Sequence, residues 1–223
     1  MKQRISELDA LRGLCILGMI GVHLIFDMQI QTGPAFAFVQ NWGGVLFFLL
    51  SGLCATLGSR PVRRGAIVLG AGLVCTAVTW AGFALGMLPD YMVIRFGVLH
   101  CLGLCMILWP AFRKLHWGLR AVLGVILAAL GIYLTKRVMV SFAGFAWLGL
   151  LYPSYCSADY FPLLPYLGFF LLGSVLGCLL YRQRQSRLSK LENLWIFRVL
   201  QWCGRYSLII YLLHQPLLML LFL

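Results

Sequence analysis

Residues 8–28 read LDALRGLCILGMIGVHLIFDM, and the reading of this stretch decides the fold. The apolar run is about as long as a bilayer-crossing helix needs, roughly 20 residues at 1.5 Å of rise each. Yet Arg12, His23 and Asp27 stand in it or beside it. Ionisable side chains are costly among lipid tails, so those found there face a bundle interior or a watery cavity, and they mark function. One stretch therefore predicts both a membrane helix bundle and a polar interior within it.

The rest of the chain extends the pattern. Of its 223 residues 62% are hydrophobic and 11% charged, with a mean hydropathy of +0.93. A soluble domain would be about half apolar and a quarter charged. No polar block is long enough to form a separate soluble domain. The chain thus reads as one transmembrane domain, residues 1–223, of all-α class. Apolar runs at about 10–29, 43–59, 65–87, 92–112, 118–135, 163–181 and 203–222 predict seven spans.

The net charge of +12 raises nucleic acid as a partner, and its distribution argues against one. Basic residues fall in short clusters between apolar runs, where Lys and Arg signal the cytoplasmic side. With a cytoplasmic N-terminus, all but Arg95, Lys136 and Arg137 of the 18 basic residues lie on or near that side. Lys2 and Arg4 resemble the basic end of a signal peptide, but no small-residue cleavage site follows, so a retained first segment is expected. The eight cysteines make no C-x-x-C pair, leaving zinc and thioredoxin-like readings without support, and no metal is expected. Residues 136–162 are rich in Phe, Trp, Tyr and Gly. Within them SFAGFAWLGLLYP is too short to cross and predicts an interfacial or re-entrant helix on the outer face. The basic RQRQSRLSKLENLW stretch predicts an inner loop suited to anionic lipid.

Depth sorts the polar residues. His23 and Asp27 share a helical face in the outer part of the first span. An Asp one turn from a His accepts its ring N–H, fixes the tautomer and stabilises the charged form, as a general base requires. Arg95 and His100 are expected in the outer half of the fourth span, and His214 near the middle of the seventh. His116 is expected in a solvated inner loop. Arg12 lies inward of His23 by about 16 Å along a helix. A positive anchor inside and a base nearer the outside suit an elongated substrate, anionic at one end and reactive at the other, such as a coenzyme A thioester. Two other readings use the same residues. One is a transporter or flippase path. The other is a cytochrome b-like haem protein with His23, His100 and His214 as axial ligands.

Arg12 and His23, with ten residues between them, resemble the R-x10-H motif of the membrane acyltransferase superfamily. ELDALRGLCILGMIGVHLIFDM (7–28), LFFLLSGL (46–53), IRFGVLHCLGL (94–104), YFPLLPYLGFFLLGSVLG (160–177) and YSLIIYLLHQPLL (206–218) together resemble the heparan-α-glucosaminide N-acetyltransferase-like catalytic domain family. The blocks follow the family order over nearly the whole chain. The resemblance implies a polytopic enzyme that takes an acyl group, expected to be acetyl, from cytosolic acyl-CoA. It would pass that group to a hydroxyl or amine across the membrane, expected to be on a sugar. His23 matches the superfamily's catalytic His and Arg12 its paired Arg. Arg95, Gly97 and His100 match the central block, and residues 159–165 the block before the late span.

One departure shapes the expected mechanism. The segment FVQNWGGVLFF (38–48), taken as a loop, carries Asn41 and Trp42 but no His, whereas the lysosomal member is held to use a His there. A single-step transfer with His23 as base is expected in place of an acetyl-His intermediate. In this scheme Asp27 orients His23, and Arg95 or His100 stabilises the oxyanion, an effect often worth about 2.7 to 4 kcal/mol. Arg12, Arg60, Arg63, Arg64, Arg113 and Lys114 would hold the CoA phosphates. Asn41, Trp42, Asp159 and His214 would contact the acceptor. A bacterial inner membrane fits the compact size, and a homodimer stays open because dimers occur among relatives.

Overall fold

The computed structural model describes residues 5–28, 33–142, 144–183, 185–186 and 188–222. Among them the chain is all-helical. Its α-helices are α1 (Ser6–Asp27), α2 (Pro34–Leu57), α3 (Pro61–Ala84), α4 (Val98–Phe112), α5 (Trp117–Arg137), α6 (Leu163–Leu180), α7 (Trp195–Arg205) and α8 (Ser207–Phe222). Among the described residues extended chain pairs as two isolated bridges, Phe96 with Tyr160 and Met139 with Leu151.

The helix starts follow local chemistry. α2 and α3 each begin on a proline, whose missing N–H is no loss in the first turn. The first turn of α1 carries Glu7 and Asp9, acids favoured by the positive end of a helix dipole. The His116 Nδ1 caps α5 by accepting the Gly118 N–H at 3.2 Å.

Among the described residues five helices, α1, α2, α3, α5 and α6, are long and apolar enough to cross a membrane. The other two expected spans come out differently. In place of 92–112 there is α4, whose 15 residues reach about 22 Å against a hydrocarbon core of about 30 Å. Residues 85–97 are loop instead, broken by Gly86 at φ 70° and by a short 3-10 turn at Asp90–Met92. Arg95 therefore stands in a loop, not inside a span. In place of 203–222 there is α8, 16 residues long, and the last three residues of a separate helix, α7, which ends before Tyr206.

Two further expectations are corrected. Asn41 and Trp42 are on α2, which starts at Pro34 and runs unbroken through both. Past the end of α5 at Arg137, the described residues up to 162 form no interfacial helix, and the helical piece among them is a 3-10 turn at Ala146–Leu148. Gly144 and Gly149, at φ 136° and 119°, bracket that turn and stop it from propagating.

The helices pack as two compact units, one of residues 1–50 with 181–223, the other of residues 51–180. In the first, α1 packs on α7 and α8. A methyl at Gly13 would lie 1.9 Å from the Leu200 carbonyl oxygen, and one at Gly204 1.8 Å from that of Asp9, so only glycines permit this crossing. In the second unit α3 packs on α4, and α5 on α6. The same device recurs there, with Gly65 against Gly103 and Gly124 against Gly168. Helices without a hydrophobic drive to associate gain from backbone contact of this kind.

Candidate active site

In the first unit α1 and α8 run side by side in the same direction. Asp9, near the start of α1, lies by Arg205, just before α8. Farther along, the His23 and His214 rings meet with centroids 5.1 Å apart and planes inclined at 56°. The first and last helices of the sequence thus bring two expected site residues together. His23 is half-buried and His214 is 8% exposed. The His214 Nδ1 lies 2.5 Å from the Tyr211 carbonyl oxygen. A carbonyl only accepts, so Nδ1 carries the proton, and in the neutral ring the lone pair sits on Nε2. Asp27 ends α1 one turn beyond His23, and its side chain lies outside the described residues.

Arg12 is braced rather than loose. Its guanidinium donates to Asp9 Oδ1 at 3.1 Å, and the other Asp9 oxygen faces Arg205 Nε at 3.7 Å. Asp9 is nearly buried, so one carboxylate holds two cations on two helices. Beside it the buried Glu7 accepts a hydrogen bond from the Ser186 hydroxyl at 2.5 Å, and Ser6 bonds to Glu192. Sequence reasoning missed Asp9 and Arg205. Their pairing crosses nearly the whole chain, and the only local signal was the Asp9–Arg12 helical spacing.

Apart from Asn41 and Trp42, which belong to the first unit, the remaining candidates lie at the two ends of the second. At one end the segment after Val93 lies against residues 157–161, with the Phe161 N–H on the Phe96 carbonyl at 3.1 Å. Asp159 reaches across to accept the Val98 N–H at 2.8 Å, closing the start of α4. His100 reaches back one turn, its Nδ1 accepting the Gly97 N–H at 3.2 Å. Nδ1 is then the acceptor, so Nε2 bears the proton and points it at Thr76 Oγ1, 3.2 Å away. Thr76 in turn donates to the Ile94 carbonyl at 2.7 Å. Both nitrogens of the buried His100 are engaged. Thr76 was not anticipated, since threonine in an apolar run gives no distinguishing signal.

In the adjoining loop Arg95 donates to Asp90 Oδ1 at 2.5 Å, and the Cys156 thiol donates to the other Asp90 oxygen at 3.0 Å. The thiol bond, and after it the guanidinium, hold the Asp90 carboxyl below its usual range. The same Asp90 contact raises Cys156. Burial pushes the nearby Tyr155 phenol up to about 12.

At the opposite end are Arg60, Arg63 and Arg64 around the start of α3, and Arg113 and Lys114 between α4 and α5. All five are exposed. Arg60 has a left-handed backbone, φ 58°, uncommon for a side chain other than glycine. Arg120 differs from them. Expected among the cytoplasmic basic residues, it is only 5% exposed, donating to Ser174 Oγ at 3.1 Å and Cys178 Sγ at 3.2 Å. Its guanidinium also lies 5.3 Å from the Trp109 ring centroid. Asn41 and Trp42 are exposed on α2, where Trp42 stacks with Phe38.

The family model described as heparan-alpha-glucosaminide N-acetyltransferase, catalytic, matches residues 4–216. No curated protein and no solved structure shows significant similarity to the chain.

Proposed function

Because the chain belongs to the heparan-alpha-glucosaminide N-acetyltransferase catalytic family, a family of membrane acetyltransferases, we propose that it moves an acetyl group from cytosolic acetyl-CoA to a sugar hydroxyl or amine on the far side of a bacterial inner membrane. In this reading the chain is multi-pass with its N-terminus cytoplasmic. The observation that carries the chemistry is the meeting of His23 with His214, on the same helix whose other end holds Arg12. The separation of Arg12 and His23, about 16 Å along α1, matches the reach of a pantetheine arm between a phosphate-bearing head and a thioester.

Transfer then needs one base and one leaving group. His23 takes the proton of the acceptor O–H or N–H as the heteroatom attacks the thioester carbonyl carbon. The tetrahedral intermediate collapses, the carbon–sulfur bond breaks, and the CoA thiolate recovers the proton from the His23 imidazolium. His214, with Nδ1 fixed on Tyr211, presents a ring of set tautomer beside His23 and limits the orientations His23 adopts. Arg12 neutralises phosphate while Asp9 and Arg205 hold it in place. Arg60, Arg63, Arg64, Arg113 and Lys114, exposed at one end of the second unit, are a basic set whose chemistry also suits phosphate. Oxyanion stabilisation by Arg95 or His100 would require each to give up a bond it now makes, to Asp90 or to Thr76.

The test uses the full chain in vesicles, labelled acetyl-CoA, and glucosamine-type acceptors. Free CoA should form only with acceptor present, and His23→Ala should lower the rate by about 10²- to 10⁴-fold, the usual worth of a positioned base. Acceptor-independent CoA release, or full activity in His23→Ala, would refute the assignment. Solute translocation that survives His23→Ala without any CoA release would identify a transporter.

A further inference from the structure

Helix α7 is divided lengthwise into three sectors. At 100° per residue Phe197, Leu200, Cys203 and Gly204 share one side, the side set against α1 at Gly13 and Asp9. Trp195, Val199, Trp202 and Tyr206 line the opposite side and are all exposed, the two tryptophans by 72% and 58%. Between these faces runs a polar edge of Arg198, Gln201 and Arg205. With 11 residues the helix spans about 16 Å, too short to cross a bilayer.

An uncovered stripe of two tryptophans, a valine and a tyrosine is unfavourable against water. It suits the boundary between headgroups and acyl chains, where amphipathic rings find both an apolar and a polar side. Two observations fix the occupant as lipid. α7 packs near the start of α1, itself apolar enough to cross a membrane, at the turn where Glu7, Asp9 and Arg12 end the apolar run. The edge beside the aromatic stripe carries Arg198 and Arg205 and no acid, and the chain's net charge of +12 favours anionic headgroups.

We propose that α7 is an interfacial helix, its aromatic stripe seated at the acyl boundary and its Arg198 edge bound to anionic phospholipid headgroups. Arg205 shares that edge and also faces Asp9, the carboxylate that braces Arg12. The lipid layer is thereby connected to α1 through one ion pair. This proposal stands apart from acetyl transfer and holds or fails whatever the reaction.

The full-length protein is placed in phosphatidylcholine vesicles, with a fraction of phosphatidylglycerol, in which one lipid at a time carries brominated acyl chains that quench on contact. The difference between the wild type and Trp202→Phe gives the signal of Trp202, and Trp195→Phe gives that of Trp195. Both should be quenched by bromolipid, more by bromines high in the chain than deep in it, and more by phosphatidylglycerol than by phosphatidylcholine. Arg198→Gln should cut the phosphatidylglycerol preference about five-fold, leaving quenching by phosphatidylcholine intact. Quenching of both tryptophans by aqueous acrylamide and not by bromolipid would overturn the placement. Equal quenching by the two lipids in the wild type would overturn the anionic contact.

Discussion

Replacing Gly13 and Gly21 by alanine, one at a time, sets two glycines of the same helix against each other. Every host glycine in a helix costs about 1 kcal/mol relative to alanine, so with packing ignored both changes should stabilise. Packing separates them. At Gly21 a new methyl meets nothing within 4 Å, and the propensity gain of about 1 kcal/mol should appear in full. At Gly13 the methyl would lie 1.9 Å from the Leu200 carbonyl oxygen and 3.1 Å from the Gly204 nitrogen. Both are backbone atoms, so no side-chain rotation relieves the clash, and α7 must move from α1 by roughly an ångström to restore ordinary contact. Forced separation of packed elements costs about 1 to 3 kcal/mol and sometimes more, and contact this close belongs at the upper end. For a chain of this length 1 kcal/mol shifts Tm by about 2 to 4 °C. Gly21→Ala should therefore raise Tm by a few degrees, and Gly13→Ala, whose cost exceeds its propensity gain by about 2 kcal/mol, should lower it by about 4 to 8 °C. Thermal unfolding in one detergent, followed by tryptophan fluorescence, reads both. A Gly13→Ala variant as stable as Gly21→Ala would refute the backbone contact of α1 with α7.

Three other outcomes follow from the second unit. Asp90, held low by Cys156 and Arg95, contributes stability that is complete above the ordinary carboxylate value near 4 and is lost as pH falls through its depressed one. Wild-type Tm should accordingly fall more steeply than that of Asp90→Asn only at strongly acid pH, and parallel curves there would contradict the pair. Gly97→Ala, whose methyl would sit 2.1 Å from Asp159 Oδ2, should displace the cap of α4 and cost about 1 to 3 kcal/mol, read as a lower Tm. Arg120→Met should leave Tm unchanged or raise it, because a buried guanidinium is costly to desolvate and Ser174 keeps its bond to the Leu171 carbonyl, 2.6 Å away. A fall of 10 °C would show that Arg120 is compensated by more than its contacts suggest.

Legibility from sequence tracks the range of the forces involved. α5 and α6 were expected at 118–135 and 163–181 and occur at 117–137 and 163–180, because each is one apolar run with clear ends. α1 begins earlier than its apolar run, since Glu7 and Asp9 weaken the hydropathy signal while favouring a helix start. α7 was not anticipated as a helix: Trp195 reads as part of the basic inner loop, and only the helix's last three residues fall in the span at 203–222. Arg198 and Arg205 keep its hydropathy low, and a hydropathy window does not register that its aromatic residues lie on one face. At the site, the chemistry of His23, His214 and Arg12 was visible as ionisable residues in apolar surroundings. The contact of His23 with His214, and the sharing of Asp9 by Arg12 and Arg205, join opposite ends of the chain, which no local pattern encodes. The ring orientation of His100 likewise depends on Thr76 and on the Gly97 backbone.

The carboxylate that closes α4 has a consequence for biosynthesis. Asp159 is 61 residues downstream of the Val98 amide it accepts from. During translation α4 emerges before the acceptor of its Val98 amide, and α5 must be made before that partner exists. Completion of this unit is therefore a late event, and hydrogen exchange at Val98 should stay fast in any chain truncated ahead of residue 159.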